Sequence, residues 1–222
     1  MKKKNLIFAI YKHLFDAFGP QHWWPGDTTE EIIIGAVLTQ NTSWENVRKA
    51  LDNLKNAGAL NLETISKLST PVLASLIRPS GYYNIKEKRL RAVADFFLSR
   101  CGGDFSRLKS LPLEKLRSEI LEVYGVGPET ADSILLYALD RPVFVVDAYT
   151  MRMGRRHGLF DDRADYESVR SLFESSLDRS LTLFNEYHAL LVRLGKEFCR
   201  KRPGCRNCPL HSSRFYSKAI CR

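Results

Sequence analysis

The chain has 222 residues, 44% of them apolar, and a formal net charge of +9. That length and apolar content support one or two compact domains, and no apolar run approaches the roughly 20 residues that a bilayer-spanning helix needs. The positive charge favours polyanionic partners.

In chain order, Met1-Lys2-Lys3-Lys4-Asn5-Leu6 is basic and then apolar. Tyr11, Lys12, His13 and Asp16 interrupt it too early for a signal peptide, so a cytosolic protein is expected. Thr28-Thr29-Glu30-Glu31 reads as a capping box opening a helix. Apolar periodicity predicts helices over 31–38, 47–54, 62–76, 87–98, 165–177 and 183–198. Val143-Phe144-Val145-Val146 is the one strand-like stretch, too short to found a sheet. No internal repeat or low-complexity linker is visible, so the fold class is all-α.

Leu113, Leu116, Ile120 and Val123 mark one face of another helix, and Thr130-Ala131-Asp132-Ser133-Ile134-Leu135-Leu136 begins the next, with Pro128 suited to its first turn. Gly125-Val126-Gly127 lies between them. Two glycines permit a sharp turn and close approach to another molecule, and the N–H groups of a new helix can receive an anion. An ordinary helical hairpin would use the same residues. Asp147 follows about twenty residues later, just before a further helical stretch, where Asp is also a favoured N-cap.

Four of the five cysteines crowd the C-terminus as Cys199, Cys205, Cys208 and Cys221, amid nine Lys/Arg and one acid, Glu197, between Arg193 and Arg222. In a cytosolic chain such a set suits a metal better than disulfides. Zinc and an iron–sulfur cluster both accept four thiolates, and the spacing does not choose between them. Cys101 stands apart.

Taken together, Leu121-Glu122-Val123-Tyr124-Gly125-Val126-Gly127-Pro128-Glu129-Thr130-Ala131 resembles the helix-hairpin-helix of the endonuclease III superfamily of DNA glycosylases. Val145-Val146-Asp147 with Arg152 looks like its Gly/Pro…Asp segment, and Leu38-Thr39-Gln40-Asn41-Thr42 like its duplex-probing loop. The terminal cysteines look like its iron–sulfur loop. The resemblance covers about residues 28–222 and implies two helical domains flanking a DNA-binding cleft: a six-helix bundle near 29–139, and a second domain from 1–28 with 140–222 that carries the catalytic Asp and a [4Fe–4S] loop. Zinc ranks second as the metal, and the gap before Cys221 is longer than the family's. Double-stranded DNA with a damaged base is the implied partner of a monomeric protein. Gly125, Gly127 and Thr130 would contact DNA, and Gln40 would fill the gap left by a flipped base.

Asp147 matches the catalytic carboxylate, which would stabilise charge developing on the sugar and activate water. Bifunctional members carry a lysine two residues after the second hairpin glycine, whose amine forms a Schiff base. Here that position is Glu129, which implies a glycosylase without lyase activity. Trp23-Trp24-Pro25 before the first bundle helix and Trp44 after it resemble the 3-methyladenine branch. There Trp24, Pro25, Trp44 and Lys196 would line the base pocket, since electron-poor alkylated purines suit aromatic faces. Trp23 is equally suited to core packing, and Lys196 to a phosphate contact. Two alternatives stay open: a glycosylase of the same fold for oxidised, mismatched or deaminated bases, and a non-catalytic helix-hairpin-helix DNA-binding module. Tyr124 and the lack of a long C-terminal domain argue against an adenine-mismatch enzyme.

Overall fold

In the computed structural model, which describes residues 3–23 and 26–211, every regular element is helical. The first is α1, Lys3–Phe18, which the sequence reading did not assign. Ile7, Ile10 and Leu14, three and four apart, are fully buried along it. The chain leaves α1 through Gly19 at φ +69°, the left-handed exit that favours glycine.

α2 spans Thr29–Leu38 and starts as a capping motif. Thr28 Oγ1 accepts from Glu31 N at 3.1 Å, and the Glu31 carboxylate accepts from Asp27 N at 3.0 Å. Ile32, Ile33, Ile34, Val37 and Leu38 are all buried, so α2 is apolar nearly all round and is a central helix rather than a surface one. α3, Trp44–Asn56, buries only the stripe Val47, Ala50, Leu51 and Leu54.

The helix expected over 62–76 is two: α4, Leu62–Lys67, and α5, Thr70–Leu76. Pro71 has no N–H and fits only a first turn, so one helix cannot run through it. The carbonyls left at the end of α4 are collected by Arg91, whose guanidinium donates to Ser66 O at 3.0 Å and to Leu68 O. Arg91 sits on α6, Tyr83–Cys101, which ends on left-handed Gly102. α7 (Ser106–Lys109), α8 (Leu113–Leu121) and α9 (Pro128–Ser133) follow, and α9 runs on into a buried π-helical turn, Ile134–Ala138.

Val143, Phe144, Val145 and Val146 are buried but form no strand among the described residues. Two of their N–H groups donate to side chains instead. Phe144 N donates to Glu174 Oε1 at 2.9 Å and Val146 N to the Tyr166 hydroxyl at 3.3 Å. α10 (Ala148–Arg156), α11 (Tyr166–Glu174) and α12 (Leu181–Glu197) complete the helices.

The chain divides into two compact units, Trp24–Arg141, and Met1–Trp23 together with Pro142–Arg222. The core of the first is α2 wrapped by its neighbours. In the second, the Tyr187 hydroxyl on α12 donates to Ile7 O on α1 at 2.9 Å, and Phe144 stacks on Phe173 with centroids 4.4 Å apart. Among the described residues no helix is long and apolar enough to cross a membrane.

Candidate active site

In the first unit the loop between α8 and α9 turns on Gly125, at φ +79°. Gly127 is the extended N-cap of α9, with Pro128 behind it. A helix start of this kind leaves N–H groups without intrahelical carbonyls. The Arg89 side chain lies directly on Gly125, where an added Cβ would come within 2.3 Å of Arg89 Cγ. The turn is held from within. Arg117 on α8 and Asp132 on α9 form a buried, two-pronged pair at 2.6 and 3.1 Å.

Gln40, just past α2, reaches this hairpin. Its Nε2 donates to Gly125 O at 2.9 Å and to Thr130 Oγ1 at 3.0 Å, and its Oε1 accepts from Arg89 Nη1. Thr130 is buried. The side chains expected at DNA therefore spend their polar atoms on each other, and α2 is clamped to the hairpin. The start of α6 is fastened to the same end of α2, since buried Lys86 donates to Leu38 O at 2.8 Å and to Ser80 O at 2.7 Å. Just before α6, Tyr82 is 72% exposed and left-handed at φ +48°. Sequence reading passed over this side chain, because Tyr is not an N-capping residue type and nothing else marks the start of α6. Trp44 is half-buried in the first turn of α3 and its ring faces Gly35 of α2, where a Cβ would lie 3.8 Å from the indole. Trp24 and Pro25 lie outside the described residues. Glu129 and Tyr124 are exposed.

In the second unit Asp147 is the N-cap of α10 and is 8% exposed. Its Oδ1 accepts from Thr150 N at 2.7 Å and from Thr150 Oγ1 at 2.8 Å. Its Oδ2 lies 3.6 Å from His188 Nε2 on α12. Burial pushes this carboxyl upward, but the nearby His188 and the two Thr150 donors outweigh it and hold the group below its ordinary value. His188 in turn stacks on Trp23, centroids 5.3 Å apart and planes 17° from parallel. The sequence offers His188 only as one residue on a buried helical face, and nothing local joins it to Asp147.

Cys199, Cys205 and Cys208 line one pocket beside Arg156 and His211. Arg156 Nη1 donates to Cys199 Sγ at 3.2 Å, and its guanidinium also reaches Arg200 O and Lys201 O. Sulfur donors beside a cation suit a thiolate-bound metal in kind. Cys205 is disulfide-bonded whereas Cys199 and Cys208 are free, and among the described residues no three His, Cys, Asp or Glu side chains are grouped to hold a metal ion. Cys221 lies outside the described residues. Lys196 is exposed in the last turn of α12.

The hairpin and the capped aspartate fall within one family pattern. Residues 34–179 match the HhH-GPD superfamily of base excision DNA repair proteins. The chain belongs to that superfamily. A candidate DNA repair glycosylase of Methanocaldococcus jannaschii is 47% identical over 212 residues, 94% of this chain and 95% of that one. The H. pylori 3-methyladenine DNA glycosylase MagIII, solved with 1,N6-ethenoadenine, superposes with a TM-score of 0.75 at 30% identity, covering 89% of this chain and 98% of the other. An endonuclease III–DNA covalent intermediate superposes at 0.81 over 95% of each chain, with 20% identity, a likeness of fold. As an HhH-GPD protein, the chain presents its hairpin in one unit and its aspartate in the other.

Proposed function

We propose that the protein is a monofunctional DNA glycosylase that hydrolyses the N-glycosidic bond of alkylated purines such as 3-methyladenine in double-stranded DNA. The observation that carries this reading is the state of Asp147: a buried carboxylate with one oxygen fixed by Thr150 and the other toward His188. In the reaction the C1′–N bond breaks and its electron pair leaves with the base. Positive charge grows on the sugar, and a fixed carboxylate offsets it. Water then adds through oxygen at C1′ and gives up a proton, which the carboxylate can accept. A base alkylated on a ring nitrogen leaves as a neutral molecule, so the scheme needs no separate acid.

The substrate class is supported by the 30% identity to MagIII and by Trp44, whose half-buried ring suits stacking on an electron-poor purine. Trp24 and Pro25 are assigned to the same base slot on their sequence alone. Exposed Lys196 suits a phosphate better than a cationic base, which an ammonium would repel. Gly125 and Gly127 would bring backbone N–H groups to phosphate, with Gln40 and Thr130 holding the turn. Glu129 replaces the Schiff-base lysine, so abasic sites should be left uncut and borohydride should trap no adduct. Cys199, Cys205, Cys208 and Cys221 would hold a [4Fe–4S] cluster, with Cys205 as a thiolate. Bound, it would supply a structural cross-link for the basic loop rather than an open coordination position.

The test is release of free bases from methylated duplex DNA by the wild type and by Asp147→Asn. The wild type should release 3-methyladenine, and the variant should lose on the order of a hundredfold or more in rate. Strong activity on uracil, oxidised guanine or a thymine mismatch, with none on methylated purines, would replace the substrate class. An unimpaired Asp147→Asn would remove Asp147 from the chemistry.

A further inference from the structure

We propose that His188 is a positioning residue for Asp147: its imidazole keeps the carboxylate ionised and Oδ2 aimed, while Thr150 secures Oδ1. The inference rests on Asp147 being the reacting carboxylate.

The geometry divides the two oxygens between two helices. Thr150, on α10 itself, takes Oδ1 through both its N–H and its hydroxyl. Oδ2 is left toward α12, where His188 Nε2 stands at 3.6 Å. Both residues are nearly sealed from water, His188 at 5% and Asp147 at 8% exposure. A carboxylate buried that deeply drifts toward its neutral form unless a donor or a positive charge compensates. A neutral acid could neither balance charge on the sugar nor accept a proton from water.

His188 is itself held in place. The Trp23 indole lies flat on its ring, which fixes the imidazole plane. Seven residues further along the same helical face, Gly195 meets Tyr149 of α10 so closely that a Cβ would fall 2.1 Å from the Tyr149 ring. The two helices are therefore in close contact at Gly195 and Tyr149, two turns along α12 from His188 and two residues along α10 from Asp147. Arg152, on α10, donates to Gly195 O on α12 at 3.5 Å, a second tie between them, and to Cys199 O just past α12 at 2.6 Å.

Polar groups on the neighbouring elements are engaged elsewhere. The Tyr187 hydroxyl turns to Ile7 O on α1. On α11 the Tyr166 hydroxyl accepts from Val146 N. Glu186 accepts from Gln21 N. The groups that set the Asp147 ionisation are His188 and Thr150, against burial. With His188 removed, burial meets only the Thr150 donors, and the carboxyl rises. Base release requires the ionised form, so its acid limb moves to higher pH.

The experiment is the pH profile of single-turnover base release from methylated duplex DNA, for wild type, His188→Ala, His188→Gln and Asp147→Asn, with DNA affinity and thermal unfolding measured on each. Expected for His188→Ala is an acid limb moved to higher pH, with a rate loss that narrows as pH increases. His188→Gln keeps a hydrogen-bond donor, so it should recover part of the rate, and it carries the test should His188→Ala not fold. A rate loss uniform across pH, or an unmoved limb in the folded variants, overturns the positioning role. If Asp147→Asn retains the wild-type rate, the catalytic reading beneath it fails instead, and the two failures are distinguishable in one data set.

Discussion

Gln40 Nε2 donates to the carbonyl of Gly125 at 2.9 Å, bridging positions 85 apart in the chain. The same amide holds Thr130 Oγ1 and accepts from Arg89, so one half-buried side chain ties α2 and α6 to the turn. A glycine-rich turn is entropically loose on its own, and this clamp is what fixes it where a phosphate would meet its N–H groups.

Gln40→Ala should therefore cost stability before it touches base recognition. It strips Gly125 O and Thr130 Oγ1 of a donor and Arg89 of an acceptor, so a loss of about 1–3 kcal/mol is expected. Amide exchange at Val126 should quicken in the DNA-free protein. Wild-type stability with weakened damage recognition would instead assign Gln40 to the DNA side alone.

Arg117 and Asp132 lock the same hairpin from inside. Asp132 is fully buried and Arg117 is 7% exposed. Asp132→Ala leaves a buried guanidinium without its carboxylate and should cost about 3–5 kcal/mol. Replacing both members, as Arg117→Met with Asp132→Leu, should recover most of that loss, because the desolvation of two charges disappears together. Chemical denaturation of the two variants and the wild type measures this. If the double variant were no more stable than Asp132→Ala, the loss would come from something other than the stranded charge.

What could be read from the sequence was local. Gly125, Gly127 and Pro128 announce a turn into a helix because backbone requirements act over a few residues, and Asp147 announces an N-cap for the same reason. The break between α4 and α5 was legible too, in Pro71, but apolar periodicity across 62–76 masked it. Ile7, Ile10 and Leu14 form a helical stripe that the basic, signal-like start of the chain obscured. The pairings that organise the site were not legible. His188 meets Asp147, and Gln40 meets Gly125 and Thr130, only through tertiary packing, and no spacing rule connects such positions. Val143–Val146 has the composition of a strand, yet its N–H groups found Glu174 and Tyr166 before any partner strand.

The cysteine loop gives a metal-removal prediction. Protein purified without chelator should be yellow-brown and contain iron, as expected of thiolate-bound iron–sulfur centres. Cys199→Ser should lose the colour. Arg156 donates to Cys199 Sγ and to two loop carbonyls, so Arg156→Ala should loosen the loop and speed loss of iron to a chelator. Colourless, well-folded protein with stoichiometric zinc would transfer the site to zinc, and protein free of both metals would remove it.

Lys86 carries a prediction about pH. It is 1% exposed, and burial, aided by the positive charge of Arg89, lowers its ammonium from 10.5 to about 8. The unfolded chain therefore holds this proton more tightly than the folded one between about pH 8 and 10.5. Where the unfolded state binds more protons, stability rises with pH. The Lys86 contribution should thus increase across that window. The neutral amine still has two N–H donors for Leu38 O and Ser80 O, so losing the charge relieves desolvation without breaking either bond. Lys86→Met removes both donors and should destabilise the protein by about 1–3 kcal/mol near neutrality. Because other groups titrate in the same range, the informative quantity is the difference between wild-type and Lys86→Met unfolding free energies, measured by urea denaturation from pH 7 to about 10.5. That difference should widen as pH rises. Parallel curves would show that the ammonium is no harder to keep folded than unfolded, and that the two carbonyls compensate its burial in full.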